Sequence, residues 1–215
     1  VMFLTTVDFA MISKTFFIDG IESNERKIPS FLVKAMERQF AEALIYGGEI
    51  RLNSVDYYQK LENEELGDRL EGLGELVFSN HPYSISSGNP VFIWCSALPD
   101  SDFDTLLNLD KKYDSIIRIN DPLEFSLRIF SALSKIYKIA PPHVGMVNYN
   151  RSVEVDKNTL NSQPWHWNLF QKRLIYSHQN EYRFTFTDLS YKADSRKPLD
   201  INIGNCEDIG LILET

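Results

Sequence analysis

Residues 177–186 read SHQNEYRFTF, and the second half of this stretch carries the pattern on which the predicted fold class depends. Apolar and polar side chains alternate in the order Tyr182, Arg183, Phe184, Thr185, Phe186 and Thr187. A period of two is typical of a β-strand whose faces differ, and it is not compatible with an amphipathic helix. The sequence therefore predicts a core strand here, with its aromatic face buried.

The entrance of this strand is unusually rich in hydrogen-bonding groups. Gln179 and Glu181 are two residues apart and are predicted to point to one side, while His178 and Asn180 point to the other. Two interpretations follow from this density of polar groups. The entrance is either a solvated strand end or the mouth of a functional site.

Composition favours one globular domain that spans residues 1–215. The apolar fraction is 43% and aromatic residues make up 13% of the chain, which is enough for a sizeable core. The formal net charge is -8, from 30 acidic and 22 basic residues. Such a surface on average repels phosphate polymers and anionic membranes, so a nucleic-acid partner is not expected.

The two cysteines indicate a reducing compartment. Cys95 lies inside the apolar run VFIWCSAL, far in sequence from Cys206, which favours buried thiols over a disulfide. No run of residues approaches the roughly 18 to 20 apolar positions that a membrane-spanning helix needs. We expect a cytoplasmic protein with no membrane partner.

A helix is predicted near the start of the chain, followed directly by a strand. Ser30 has the form of an N-cap before FLVKAMERQFAEALIYGG at 31–48, where apolar residues recur at helical spacing and two glycines end the pattern. The next residues, EIRLNS at 49–54, alternate as a strand that presents Arg51 on its polar face.

The rest of the chain contains more strands than helices. The predicted strands are short apolar runs between turn residues, at 75–80, 91–98, 113–120, 143–150, 199–204 and 208–214. The predicted helices are 55–66, a helix at 123–137 with Asp121 as its cap and Pro122 as its first residue, and a short one at 165–174. HPYSISSGNP at 81–90 is predicted to be a turn-rich connection. The order favours an α+β fold with a mainly antiparallel sheet or a two-sheet sandwich, flanked by N-terminal and central helices.

Most familiar sites are absent from the sequence. There is no phosphate-loop motif and no G-x-G-x-x-G, and neither the cysteines nor the four histidines have metal-ligand spacing. Polar groups dense enough for a site occur in four places, which are Arg51, the turn 68–71, Ser96 and the segment 172–183.

Arg51, Ser96 and Glu181 follow one another along the chain in an order that resembles the R-S-E arrangement of mono-ADP-ribosyltransferases. The resemblance implies that Arg51 binds the phosphates of NAD and that Ser96 supports the catalytic group. It also implies that Glu181 is catalytic and engages the ribose 2′-hydroxyl. Gln179, in a Q-x-E pair, would orient the acceptor, and such pairs go with acceptors other than arginine in that superfamily.

The chain also resembles an uncharacterised bacterial family that occurs near mobile elements and defence genes. The shared motifs are GGEIRLNS, Asp68 with Glu71, WCS, and Lys172 followed by NEYRF, and the similarity spans residues 31–186. It implies a role in conflict between bacteria and phages.

The chemistry of NAD cleavage suits these residue types. A carboxylate stabilises the positive charge that develops on the ribose, and a guanidinium matches a pyrophosphate. Aromatic side chains stack on nicotinamide, and Tyr57, Tyr58 and Trp94 are the candidates, with Tyr57 assigned to the cofactor site. NAD is thus the expected substrate, and a protein or a small molecule is the expected acceptor.

Two other functions remain open at this point. The first is a non-enzymatic interaction module, a defence or anti-defence protein that binds another protein through its acidic surface. The second is a hydrolase built on Asp68, Glu71 and Glu181, in which three carboxylates hold Mg²⁺.

Overall fold

The structure is a computed structural model, and it describes residues 17–19, 28–61, 67–86, 88–150, 152–154 and 167–213. Its strands are β1 (Phe17–Asp19), β2 (Leu32–Met36), β3 (Glu49–Ser54), β4 (Leu73–Phe78), β5 (His81–Ser86), β6 (Val91–Ala97), β7 (Ser115–Ile119), β8 (His143–Met146), β9 (Ser152–Glu154), β10 (Glu181–Thr187), β11 (Leu199–Asn202) and β12 (Gly210–Leu213). Its α-helices are α1 (Arg38–Gly47), α2 (Val55–Lys60), α3 (Phe103–Leu107) and α4 (Pro122–Ser134). Two 3₁₀-helices follow, Trp167–Phe170 and Leu174–Gln179.

Within the described residues, nine strands form one large sheet and three form a small one. The main path of the large sheet is β1-β8-β10-β6-β2-β7-β12, and β3 joins it by pairing with both β6 and β11. Every pairing in it is antiparallel except that of β1 with β8. The small sheet has the order β5-β4-β9. The predicted α+β class with a mainly antiparallel sheet is confirmed.

The large sheet forks at β6. One edge of β6 pairs with β10 along its whole length. The opposite edge pairs first with β3, where Asn53 faces Ile93, and then with β2, where Val33 faces Ala97. Between these two pairings, at Cys95, the neighbouring strands diverge and a gap opens in the sheet.

The aromatic face of β10 forms the centre of the core. Phe184 lies between Trp94 of β6 and Phe125 of α4, with ring centroids 5.7 and 5.8 Å away. Tyr182 and Phe186 extend the same face and are 2% exposed or less. Burial of each such side chain contributes about 1.5 to 3 kcal/mol relative to exposure. The predicted strand is therefore confirmed, but its polar face is buried as well.

The helix predicted at 31–48 is wrong over its first third. Leu32–Met36 is strand β2, Ser30 caps no helix, and α1 begins only at Arg38, after Glu37. β2 lies between β6 and β7, which cover its edges, and apolar clusters cover both of its faces: Leu32 packs in the main core and Val33 in a second cluster. A short apolar run buried on both faces has no period that distinguishes strand from helix, and tertiary packing decides.

The connection predicted at 81–90 is also wrong, because it begins with strand β5. Ser79 and Asn80 both have positive φ, 51° and 62°, and they form a two-residue hairpin turn between β4 and β5. A type I′ turn requires this conformation at both central residues. Asn-Gly is its usual signal, and Ser-Asn is a weaker one.

The other predicted strands agree with the structure, and so does the start of α4. The Asp121 side chain accepts a hydrogen bond from the backbone of Glu124, and Pro122 is the first helical residue, as predicted. Within the short helix predicted at 165–174, the structure has a 3₁₀-helix at Trp167–Phe170, and the second 3₁₀-helix begins only at Leu174, while residues 165–166 lie outside the described residues. The end of the helix predicted at 55–66 lies outside the described residues. None of the described helices is long and apolar enough to cross a membrane.

Candidate functional site

The gap beside β6 opens into a cavity of about 900 Å³. Trp94 and Cys95 both line it, so the cavity reaches both faces of the sheet. The residues assigned to a site from the sequence all line this one cavity: Arg51, Tyr57, Ser96, Gln179 and Glu181. Its size is within the range of ligand-binding pockets.

Glu181 stands at the entrance of β10 with both carboxylate oxygens bound. Its Oε1 accepts a hydrogen bond from Arg183 Nε at 2.7 Å, and its Oε2 accepts one from Lys172 Nζ at 3.1 Å. Its backbone N–H donates to the Tyr149 hydroxyl at 2.8 Å. The residue is only 5% exposed. The strand entrance is therefore buried against the cavity and is not a solvated end.

Arg183 links three segments of the chain in the cavity wall through hydrogen bonds of its side chain. Its side chain is 1% exposed, and all five of its N–H groups have acceptors. Two go to Glu181, at 2.7 and 3.2 Å, and two to Glu71, at 2.5 and 2.9 Å. The fifth goes to the Leu169 carbonyl at 2.6 Å. One guanidinium thus joins β10 to the turn before β4 and to the first 3₁₀-helix.

The buried charges keep Glu181 ionised. Burial acts to raise the pKa of Glu181, but the neighbouring Arg183 and Lys172 lower it more, so its pKa lies well below the usual 4.5. A buried carboxylate with this pKa is negatively charged at neutral pH. It can therefore stabilise a positive charge that develops next to it.

Gln179 lies beside Glu181, but it ends the second 3₁₀-helix and is not part of the predicted strand. Lys172 Nζ donates to Gln179 Oε1 at 2.6 Å and to Glu181 Oε2 at 3.1 Å, so one ammonium group aligns both side chains. His178 is exposed and points away. Asn180 has φ of 44°, a left-handed conformation that ends the 3₁₀-helix and allows β10 to start at the next residue.

The turn at 68–72 is fixed from two sides. Asp68 forms an ion pair with Arg173 at 3.0 Å, and Glu71 Oε1 accepts a bond from the Gly72 backbone at 3.2 Å. Gly72 has φ of 69°, and a Cβ there would overlap the Val55 side chain. Only glycine fits this position without strain, and the close turn directs Glu71 towards Arg183.

Arg51 lies at the outer wall of the cavity. Its Nε and Nη2 donate to the two carboxylate oxygens of Asp200, at 2.7 and 2.9 Å. The two side chains are 61% and 64% exposed. Such an exposed pair contributes at most about 1 kcal/mol to stability. The guanidinium predicted to bind phosphate is thus already neutralised by a neighbour.

Ser96 points to the face of the sheet opposite Glu181. In the register of β6 and β10, Ser96 lies across from Tyr182 and Ala97 lies across from Glu181. Side chains alternate along a strand, so the two functional candidates are on different faces. The Ser96 hydroxyl donates to the Tyr182 carbonyl at 2.9 Å. It lines the cavity but makes no contact with Glu181.

The three candidate aromatic residues differ in their surroundings. Trp94 is buried against Phe125, with centroids 4.6 Å apart. Tyr58 is edge-on to Tyr57, with centroids 5.8 Å apart, and its hydroxyl lies 3.7 Å from the Cys95 sulfur. Tyr57 is half-buried at the cavity wall, which leaves part of its ring accessible to a ligand.

Sequence reasoning missed two residues in the wall of the cavity, Lys34 and Cys95. Cys95 faces Arg183 in the register, and burial followed by the nearby Glu181 charge raises the pKa of its thiol to about 12. Lys34 falls within the helix predicted at 31–48, whereas β2 carries it into the gap. The signal that would have found both is the pairing of β6 with β10 and β2, which no local pattern contains.

The described residues contain no group of three or more His, Cys, Asp or Glu side chains that is placed to hold a metal ion. Glu71 and Glu181 instead share Arg183, and Asp68 pairs with Arg173. The carboxylates that a hydrolase would use for Mg²⁺ are therefore engaged by cations.

In comparisons with protein-family models, curated proteins and solved structures, nothing matched this chain. A function must therefore be argued from the geometry of its own residues.

Proposed function

We propose that the protein is an NAD-dependent mono-ADP-ribosyltransferase or an NAD hydrolase that works at the cavity beside β6. The observation that carries this proposal is the convergence of the five sequence-assigned residues on one cavity, with an ionised, buried Glu181 in its wall. The five residues come from β3, α2, β6, the second 3₁₀-helix and β10. Arg51 and Glu181, the two farthest apart in sequence, are separated by 130 positions.

Glu181 has the properties that the reaction requires. When the bond between ribose C1′ and nicotinamide breaks, its electron pair leaves with nicotinamide and positive charge develops on the ribose. Among the described residues, Arg183 Nε is the nitrogen that donates to Glu181 Oε1, and the weakly donating thiol of Cys95 lies beside the same carboxylate. It retains acceptor capacity for a ribose hydroxyl. Water or an acceptor then forms the new bond at C1′ and loses a proton.

Gln179 and Tyr57 complete the proposed roles. The amide of Gln179 is fixed by Lys172 on the same side as Glu181, which suits orientation of an acceptor. The accessible part of the Tyr57 ring suits stacking on nicotinamide. We further propose a protein or small-molecule acceptor and a cytoplasmic role in bacterial or phage conflict, and the two free cysteines support a reducing compartment.

A non-enzymatic interaction module is the second candidate. Leu174 and Ile175 are adjacent on the second 3₁₀-helix and are 72% and 66% exposed. Exposed apolar side chains next to each other favour contact with another protein. This surface adjoins the segment that carries Gln179, so a bound protein would also lie close to the cavity.

The first prediction concerns release of nicotinamide. Purified protein is incubated with NAD, and nicotinamide is measured by chromatography. We expect release that falls at least about 100-fold in Glu181→Gln, because removal of one electrostatic stabiliser of a transition state has this order of effect. Tyr57→Ala is a second variant, at a side chain that is less buried than Glu181. We expect it to raise KM for NAD, because the ring proposed to stack on nicotinamide is removed.

Glu42→Gln is the matched control for this experiment. Glu42 belongs to an exposed ion pair with Arg38 on α1 and does not line the cavity. The Glu42→Gln variant should therefore release nicotinamide at the rate of the wild type. Circular dichroism establishes that each variant is folded. Absence of both nicotinamide release and NAD binding at millimolar NAD would refute the enzyme and make the interaction module the better proposal.

A further inference from the structure

Lys34 projects from β2 into the gap where the sheet forks. Its Nζ donates to the carbonyl of Cys95 at 2.7 Å and lies 5.3 Å from the centroid of the Trp94 ring. The Cys95 carbonyl is at the edge of β6 that neither β2 nor β3 covers at this position. The lysine thus takes the place of a strand partner and brings an ammonium group to the cavity wall.

The charge of Lys34 is not balanced by a contact with a carboxylate. Lys172 and Arg183 are matched by Glu181 and Glu71, which makes that cluster neutral. Among the described residues, no carboxylate lies within ion-pair distance of Lys34 Nζ; its closest partner is the neutral carbonyl. Burial accordingly lowers the pKa of Lys34, with only a partial opposing effect from Cys95 and the more distant Glu181.

We propose that Lys34 is the anion-binding group of this cavity and that it takes a phosphate of the ligand. An ammonium group has three donors, and one of them is used by the Cys95 carbonyl. The other two are available to phosphate oxygens, for which lysine is a suitable partner. A bound phosphate would supply the negative charge that the wall lacks.

This assignment differs from the one that the resemblance implies for Arg51. Two of the five N–H donors of Arg51, on Nε and Nη2, go to Asp200, so its charge is already matched by a carboxylate in contact with it. Lys34 has no carboxylate in contact with it among the described residues. The inference rests on the proposed function for the identity of the ligand, a dinucleotide with a pyrophosphate, and it deepens that proposal by locating the phosphate.

The test compares ligands with and without phosphate by calorimetry. The ligands are NAD, ADP, inorganic pyrophosphate and nicotinamide riboside, and the proteins are the wild type, Lys34→Met, Lys34→Gln and Lys112→Met. For the three phosphate ligands we expect the Kd to rise about 10- to 100-fold in both Lys34 variants, the loss typical of a hydrogen bond to a charged group. Binding of nicotinamide riboside should change less than about 3-fold, because an uncharged ribose end makes no ionic bond. Lys112, an exposed lysine at the cavity rim, is the matched control.

A second measurement uses only wild-type protein. Lysines on the surface and in the cavity wall are acetylated with a limiting small reagent, with and without pyrophosphate, and the extent of modification at each lysine is measured by mass spectrometry. Bound pyrophosphate should protect Lys34 and leave Lys112 unprotected. This result does not depend on whether a Lys34 variant folds.

The outcomes separate this inference from the proposed function. If ADP and pyrophosphate bind and their binding requires Lys34, but NAD does not bind, the anion site is supported and NAD is refuted as the substrate. Equal loss of affinity for NAD and for nicotinamide riboside in the Lys34 variants would overturn the role of Lys34 as a phosphate ligand. NAD binding by the wild type would still support the proposed function. Anion affinity that survives in Lys34→Met but is lost in Arg51→Met would return the role to Arg51. If the wild type binds none of the ligands, both proposals fail.

Discussion

At the scale of single residues, Arg183 makes five side-chain hydrogen bonds in the interior of the protein. It is fully buried and donates to two carboxylates and a carbonyl from three different segments. Placing a charge in the interior is costly unless each donor finds an acceptor, and here all five do. The arginine of the sequence NEYRF is therefore predicted to have a structural role that positions Glu181.

The second prediction is that Arg183→Lys strongly destabilises the protein. A lysine reaches fewer acceptors in a different geometry, so Glu71 and Glu181 would be left as partly unpaired buried charges. We expect a loss of about 3 to 5 kcal/mol in the free energy of unfolding, measured by urea denaturation.

Arg196→Lys is the matched control for Arg183→Lys. Arg196 pairs with Asp194 on the surface and is 75% exposed, so Arg196→Lys should leave the urea midpoint close to that of the wild type. Equal urea midpoints for the two variants would show that the buried cluster does not stabilise the fold.

At the scale of elements, the end of α1 determines how the chain enters the site. Gly48 ends the helix with φ of 71°, and its N–H bonds to the Leu44 carbonyl at 3.0 Å. The chain then reverses into β3, which carries Arg51 and pairs with β11. The carbonyl of Gly48 accepts from Ile203 at 2.9 Å, so this turn also holds the residues that follow β11.

The third prediction tests this turn with two neighbouring glycines. Gly48→Ala should lower the free energy of unfolding by about 2 to 4 kcal/mol, because alanine disfavours positive φ and its Cβ would overlap the backbone of Gly204. Thermal or urea unfolding measures the change.

Gly47→Ala is the control, since Gly47 lies within α1 and its Cβ would only touch Glu49 Cγ at 3.8 Å. Alanine is the better helix former, so this variant should be neutral or more stable by up to about 1 kcal/mol. Similar destabilisation of both variants would contradict the assigned conformation of Gly48.

At the scale of the whole molecule, the fork in the sheet produces the cavity. One edge of β6 pairs first with β3 and then with β2. Between these two pairings the edge of β6 has no strand partner among the described residues and faces the cavity. Buried charges fill the wall of this gap on one side, and the apolar core with Trp94 closes the other. Stability of the fold and electrostatics of the site therefore depend on the same residues.

The fourth prediction follows from this coupling and concerns pH. The pKa of Glu181 is lower in the folded protein than its usual value, so its contribution to stability is complete above about pH 4.5 and is lost as pH falls below that value. We expect the urea midpoint of the wild type to fall between pH 7 and pH 3. In Glu181→Gln the midpoint should be lower at pH 7 and should fall less, because the titrating group is absent.

Glu42→Gln again serves as the control and should keep the pH dependence of the wild type, since the Glu42 side chain is 48% exposed in its ion pair. A pH dependence that is unchanged in Glu181→Gln would show that this carboxyl is not held in its charged form by Arg183 and Lys172.

The sequence by itself determined the elements whose signals are local. The alternation in NEYRFTF identified β10, and Asp121 with Pro122 identified the start of α4. The alternation also identified Glu181 as the first residue of β10, whereas Gln179 belongs to the preceding 3₁₀-helix and reaches the same side of the site by another backbone path. These signals involve residues within a few positions of each other.

Only the tertiary structure decided which segments meet. It converted Leu32–Met36 from a predicted helix into the strand that carries Lys34, it turned the hydroxyl of Ser96 away from Glu181, and it paired Arg51 with Asp200. Each of these outcomes depends on strand partners tens of residues or more away in sequence. Pairing and burial on both faces outweigh local propensity by several kcal/mol, and no local pattern records which partner will supply them.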